Sequence, residues 1–301
     1  MQILKSKAIV KTLVFLRKHK NANNFLIMLP SALWVICFLF IPLILIFVYS
    51  FSTRGEGGTI VASYGLHNYE HFITTSIYAR TIIKSIIIGF EVTLVCLIVG
   101  YLPAYYLARL TTTRRVILII LLIVPFWTSV IIRTYSWMLV LGNRGAINYY
   151  LMKWGLIQEP LRLLFNEASV ILGLVHIMLP FMILPIFTCI DRLDASLVDA
   201  SKSLGAGKIR TFIEITLPLS LPGVSAGCLL VFIISVGAFL TPAMLGGPKD
   251  TMIAMLIQQN FLMLFDWPFG SAAAIIYLIL VLIIVYFFNR VIGLDKIWSG
   301  R

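Results

Sequence analysis

Residues 191–222 read DRLDASLVDASKSLGAGKIRTFIEITLPLSLP and form the longest polar interruption in an otherwise apolar chain. Leu193, Leu197, Ala200 and Leu204 recur at steps of four, three and four, so they share one face of a helix. Asp194 is placed to cap its start, and Gly205 to take the left-handed conformation that ends it. Ile209, Phe212 and Ile213 predict a second short amphipathic turn. Pro218 and Pro222 are expected to stop any helix before the next apolar run. The pattern describes two short helices at a membrane surface, shaped to be gripped by another protein.

The membrane follows from composition. The 301 residues are 60% hydrophobic and 12% charged, too apolar for a soluble domain of this size. Several runs reach the roughly 20 apolar residues that cross a bilayer. Six spans are expected, at about 25–51, 80–108, 116–141, 168–190, 223–245 and 270–292. The first run is too long for a signal-peptide core and has no clear small-residue cleavage site, so it reads as an uncleaved span. Residues 1–24 form a basic amphipathic leader, 148–156 an interfacial piece of an outer loop, and 293–301 a tail.

The net charge of +12 would suggest nucleic acid in a soluble protein, but its distribution assigns it to topology. Six basic residues lie in the leader, three at Arg109, Arg114 and Arg115, four in 191–222 and three from Arg290 onward, sixteen of the 24. This positive-inside pattern puts both termini and the 191–222 loop in the cytoplasm. No nucleic-acid partner is expected; membrane lipid is. The four cysteines all sit in apolar runs without metal-ligand or redox spacing, and read as small buried hydrophobes.

No catalytic set is legible, and neither a bound cofactor nor a metal is expected. Gly205-Ala-Gly207-Lys208 fails as a phosphate-binding loop. That motif needs Gly where Lys202 stands, and Ser or Thr where Ile209 stands. His19, His67, His71 and His176 are scattered, which argues against an intramembrane enzyme.

The polar residues within spans are candidates for a substrate path or gate. Glu91 has no basic residue within a helical turn, and an intramembrane carboxylate is costly unless it faces a wet cavity or a partner. Two readings stay open: contact with a cationic substrate, or pairing with His176 or a neighbouring subunit. Trp127, Arg133, Tyr135 and Trp137 cluster at the outer part of the third span, either as an interfacial aromatic belt or as part of an outer gate. Gly223 and Gly227 have small-xxx-small spacing, which serves close packing or a moving, pore-lining helix. Asp266 is placed to cap the last span.

The loop resembles that of inner-membrane subunits of ATP-driven, binding-protein-dependent importers. Their pattern is Glu-Ala-Ala, three residues, Gly, nine residues, Ile, one residue, Leu-Pro. Here it stands as Asp199-Ala200-Ser201, Gly205, Ile215, Leu217 and Pro218, with the same spacing and with Asp for Glu and Ser for Ala. The stretches 125–129, 133–137, 179–185, 217–223, 245–247 and 267–272 resemble the spermidine/putrescine permease subfamily.

The resemblance implies an all-α membrane protein with the type I ABC importer permease fold in the bacterial inner membrane. It implies a second homologous permease, two ATPase subunits that use ATP and Mg, and an extracytoplasmic binding protein that delivers a polyamine. The 191–222 loop would be the coupling helix that docks on the ATPase. An ABC permease for another small solute, or an ATPase-independent secondary transporter, is the alternative.

Overall fold

The structure is a computed structural model that describes residues 20–292. The leader's first 19 residues and the tail 293–301 lie outside the described residues. Helix α1 (Lys20–Tyr49) runs unbroken through Pro30 and Pro42. A hairpin of two-residue strands, β1 (Thr53–Arg54) and β2 (Ile60–Val61), leads to the short α2 (His67–Thr74). Helix α3 (Ser76–Ala108) has 33 residues. At 1.5 Å per residue it is roughly 50 Å long, well beyond the roughly 30 Å hydrocarbon core, so it projects from the membrane.

The next span is not one rod. Helix α4 (Thr112–Ile123) passes into a 3-10 turn (Val124–Trp127), and the chain turns by 92° before α5 (Val130–Leu141) and α6 (Ala146–Lys153). Pro125 opens that turn without an N–H to give, Thr128 is extended, and Ser129 restarts the helix by accepting from the Ile131 N–H at 3.3 Å. The expected continuous span at 116–141 is therefore a broken one.

Helix α7 (Glu167–Asp191) starts at a capping box: the Asn166 side chain accepts from the Ser169 N–H at 3.0 Å, and the Ser169 hydroxyl accepts from the Asn166 N–H. Helices α8 (Ala195–Ser203) and α9 (Lys208–Thr211) follow. A π turn (Phe212–Thr216) joins α9 to α10 (Leu217–Val236). Then come the short α11 (Leu240–Leu245), α12 (Ile253–Leu262) and the last span α13 (Trp267–Ile292).

Among the described residues, five helices are long and apolar enough to cross a membrane, and the bent pair, taken as one span, makes a sixth. The second begins at Ser76 rather than 80 and the sixth at Trp267 rather than 270. The fifth ends at Val236, not 245; Gly237 closes it and α11 is separate.

Proline did not stop the helix after the loop. The backbone runs as a helix from Lys208 to Val236. Pro218 follows directly on the π turn, in which the Leu217 N–H donates to the Phe212 carbonyl, and that one-residue shift of the hydrogen-bond ladder accommodates the missing N–H. Pro222 is carried inside the same helix.

Helix α7 is the axis of the bundle and the most buried of the spans, whereas α1 has no buried residue between Met28 and Tyr49. Ile88, Val92 and Cys96 of α3, Val170, Leu174, Met182 and Ile186 of α7, and Val231 of α10 share one core. Lipid tails are as apolar as these side chains, so close backbone approach and polar ties must hold the helices together. Gly223 lies against Cys189, Pro185 and Ile186, and Gly227 against Met182, so the small-residue pair serves packing of α10 on α7. Tyr101 and Ser220 share a hydrogen bond of 2.8 Å that ties α3 to α10.

A polar knot closes the opposite end of α3. The Lys84 ammonium meets Glu167 at 2.6 Å and Asp250 at 3.5 Å. Asp250 also accepts from the Gly247 N–H at 2.9 Å, and Ser85 accepts from the Ile253 N–H at 2.8 Å. Asp266 accepts from the Phe269 N–H at 3.0 Å and caps α13, as its position predicts.

A β-carbon on Gly223 would stand 2.6 Å from Cys189 Cβ and 2.7 Å from the Pro185 carbonyl oxygen. Gly223→Val is expected to destabilise the α7–α10 contact by about 1–3 kcal/mol, the usual range for overpacking. Thermal unfolding of the purified protein in detergent measures it; an unchanged midpoint would show that these helices are not packed this closely.

Candidate coupling loop and intramembrane polar residues

The loop is held by local chemistry before anything docks on it. The Ser196 N–H donates to Asp194 Oδ1 at 2.9 Å, which satisfies an otherwise free donor at the start of α8. That hydrogen bond holds the Asp194 carboxyl below the usual carboxylate range. At the other end the Ala206 N–H donates to the Ser201 carbonyl and the Gly205 N–H to the Lys202 carbonyl, at 3.1 and 2.9 Å. With Gly205 at φ 84° this is a Schellman ending. Asp199 pairs with Lys202 at 2.9 Å, but both side chains are well exposed, so the pair adds little stability.

Ser201 is the hinge between the two short helices: its hydroxyl meets that of Thr211 at 3.0 Å, and both residues are buried. Phe212 turns inward, with its ring 5.8 Å from that of Tyr101 and 5.2 Å from that of Tyr105 on α3. Ile215 and Leu217 are half-buried at the entry to α10, and Pro218 is exposed. Ile209 and Ile213 point away from the bundle, so the second amphipathic turn is divided between an inner Phe and two outer Ile.

Of the predicted stripe, Leu193 packs against the core just before α8, and the other three residues face outward. Leu197 and Ala200 are exposed, and Leu204 is 89% exposed. Val198 and Ser201 are the residues turned toward the bundle. Leu197, Leu204, Ile209 and Ile213 thus leave an apolar surface uncovered beside the charged Asp199, Lys202 and Arg210.

Among the intramembrane candidates, Glu91 faces a cavity of about 700 Å³ between α3, α10 and α13. Phe90, Leu97, Cys228, Phe232 and Phe288 also line it. One Glu91 carboxylate oxygen is buried and has no hydrogen-bond partner among the described residues. His176 is not its partner: the Trp137 indole N–H donates to His176 Nδ1 at 3.0 Å, fixing that ring against α5. Lys84 is held in the knot with Glu167 and Asp250.

The aromatic group of the third span is split by the bend. Trp127 is 85% exposed and Tyr135 is exposed, whereas Arg133 and Trp137 turn into the protein. Arg133 is 8% exposed, with its guanidinium 5.2 Å from the centre of the Phe126 ring and its Nε unpartnered among the described residues. The four residues therefore do not form one cluster. The partners Tyr101 with Ser220, and Lys84 with Glu167 and Asp250, escaped the sequence reading because no spacing links residues that far apart.

A six-span helical bundle with an exposed, capped loop between its fourth and fifth spans is the architecture of an integral-membrane protein. The chain belongs to the binding-protein-dependent transport system inner membrane component family, whose pattern matches residues 96–295. It is a multi-pass permease of the inner membrane.

It is 37% identical over 258 residues to the spermidine/putrescine transport system permease protein PotB of Salmonella typhimurium (strain LT2), covering 85% of this chain and 90% of that protein. It is 39% identical over 242 residues to PotB of Escherichia coli (strain K12), covering 80% and 88%. A chain from a bacterial ABC transporter involved in the import of the acidic polysaccharide alginate superposes with a TM-score of 0.74 at 18% identity, covering 94% of this chain and 98% of that one. The all-α type I ABC importer permease fold is thus the fold of this chain.

Because the folded-state Asp194 carboxyl titrates below its ordinary range, its cap is fully present above that range and is lost as pH falls through the lowered value. Hydrogen exchange across 195–203 should accelerate in that acid window and not between neutral and mildly basic pH. Gly205→Val places a β-branched residue at positive φ, a strain of about 1–3 kcal/mol with no side-chain clash to add to it. It is expected to leave the protein inserted while the end of α8 frays, seen as faster exchange at 200–206; unchanged exchange there would contradict the Schellman ending.

Proposed function

We propose that this chain is one permease subunit of an ATP-driven polyamine importer, and that residues 191–222 couple it to a separate ATPase. The similarity to PotB proteins across at least four-fifths of both chains carries the substrate class. The 191–222 loop carries the mechanism. Its outward apolar face is what a partner groove covers, and its inner side is fastened to the bundle by the Ser201–Thr211 bond and the Phe212 wedge. A push on α8 therefore reaches α3 through Phe212 and α10 through the continuous helix from Lys208.

In this reading two permeases, two ATPase subunits using ATP and Mg, and an extracytoplasmic binding protein form the working unit. A periplasmic protein loaded with alginate pentasaccharide accompanies one transporter of the same fold. Both termini and the 191–222 loop face the cytoplasm, in keeping with the basic residues at 109–115 and in the loop. Asp199, Ala200, Ser201, Gly205, Ile215, Leu217 and Pro218 form the coupling segment. Glu91 contacts the cationic substrate. Trp127, Arg133, Tyr135 and Trp137 act around the outer gate.

Uptake of labelled spermidine and putrescine into proteoliposomes tests the function. The vesicles hold this chain with its partner permease and ATPase, with and without ATP and the binding protein. Uptake that needs every component is the expected result. ATPase activity stimulated by the binding protein without uptake of either polyamine would discard the substrate and keep the transporter. Glu91→Gln should raise the KM for uptake about tenfold, the size of one hydrogen bond to a charged group; unchanged uptake at every concentration removes Glu91 from the path.

A further inference from the structure

A second cavity, of about 390 Å³, lies between α8 and the ends of α3 and α7. It opens on the bundle side of α8, away from the exposed face of Leu197, Ala200 and Leu204. Three cations line it, Arg109, Lys202 and Lys208, against one carboxylate, Asp199, leaving two positive charges in excess. Asp199 is engaged with Lys202, so Arg109 and Lys208 make no ion pair among the described residues. Arg109 lies over the Tyr105 ring, 4.1 Å from its centre, which holds the guanidinium at the cavity wall.

The lining is two-sided. Thr211 and Thr216 supply hydroxyls, whereas Ile190, Leu193 and Val198 supply an apolar wall. The position suits a headgroup: Ala108 is the last residue of α3 and Ile190 lies in the last turn of α7, so the cavity sits at the ends of two spans. Helix carboxyl ends repel anions. Here the Arg115 guanidinium donates to the Ala108 and Leu110 carbonyls at 3.4 and 3.3 Å and pairs with Asp191 at 2.7 Å, which offsets the negative ends of both helices.

We infer that this cavity binds a phosphate group, and that its source is the headgroup of an anionic phospholipid whose chains lie against the apolar wall. Basic pockets between membrane helices take such headgroups. The occupant sits beneath the loop proposed to couple to the ATPase, and bridges α8 to α3. That this is the inner leaflet rests on the orientation proposed above; the binding chemistry does not.

The test is therefore made in detergent, where sidedness plays no part. The complete purified transporter is titrated with dioctanoyl phosphatidylglycerol, dioctanoyl phosphatidylcholine and inorganic phosphate, and binding is followed by native mass spectrometry and thermal shift. Phosphatidylglycerol should bind most tightly. Arg109→Gln and Lys208→Gln, both at exposed positions, should each weaken it about fivefold, the usual worth of one basic residue toward an anionic headgroup. Arg114→Gln, on the same surface but outside the cavity, should leave it unchanged. Inorganic phosphate binding as tightly as phosphatidylglycerol, with the same dependence on Arg109 and Lys208, would keep the phosphate site and overturn the lipid source. Phosphatidylcholine binding as well as phosphatidylglycerol, or Arg114→Gln weakening binding as much as the other two, would overturn the proposal.

Discussion

Hydrocarbon offers no hydrogen bonds, so every backbone group within the membrane must find its partner in the protein. That constraint explains where this chain is allowed to stop being helical. The non-helical backbone near the ends of α11 and α12 is roofed by side chains from distant helices, with Ser169 donating to the Leu245 carbonyl at 2.7 Å and Ser85 accepting from Ile253, while Asp250 closes its own turn by accepting from Gly247. Asn148 does the same for the outer loop, donating to the Gly142 and Leu161 carbonyls and accepting from the Leu161 N–H. Ser169, Ser85 and Asn148 are each one short polar side chain serving backbone outside its own helix. Because apolar burial does not favour one helix–helix arrangement over another in lipid, such ties have a large share in deciding which arrangement forms.

The same constraint marks what a sequence reader can and cannot see. Hydropathy finds the spans, because the need for about 20 apolar residues is written locally. It does not find their ends, because a helix need not stop where the apolar run does: α3 starts at Ser76 and α13 at Trp267, four and three residues before the expected spans. Proline is read correctly or wrongly according to its neighbours. At Pro125 the chain lacks a compensating turn and bends by 92°. At Pro218 a π turn has already moved the ladder, and the helix goes on. Nothing in the proline itself separates the two cases.

The loop was more legible than the membrane part. Its caps are local: Asp194 and Gly205 act on residues within five positions. Periodicity showed that Leu197, Ala200 and Leu204 share a face, but not which way the face points, since that depends on what α8 rests on. It rests on Val198 and Ser201, so the stronger apolar stripe is the one left outside. A lone soluble domain would turn that stripe inward; left exposed on a short helix, it is the surface that the proposed docking on an ATPase would cover.

The intramembrane charges make a parallel argument. Glu91 on α3 keeps a buried carboxylate oxygen without a partner, and Arg133 on α5 keeps a buried Nε, among the described residues. A charge in a low-dielectric setting is tolerated when something pairs with it, and these two do not pair with each other. Lys84 shows what the chain does where it can satisfy a charge by itself: it surrounds the ammonium with two carboxylates from different segments. The contrast between Lys84 and Glu91 within one helix, two turns apart, separates a group satisfied inside this chain from one whose carboxyl oxygen has no partner among the described residues. In the reading proposed above, this carboxyl group in a cavity walled by Phe90, Phe232 and Phe288 would suit a primary amine on an alkyl chain, its methylenes meeting the rings and its ammonium the oxygen.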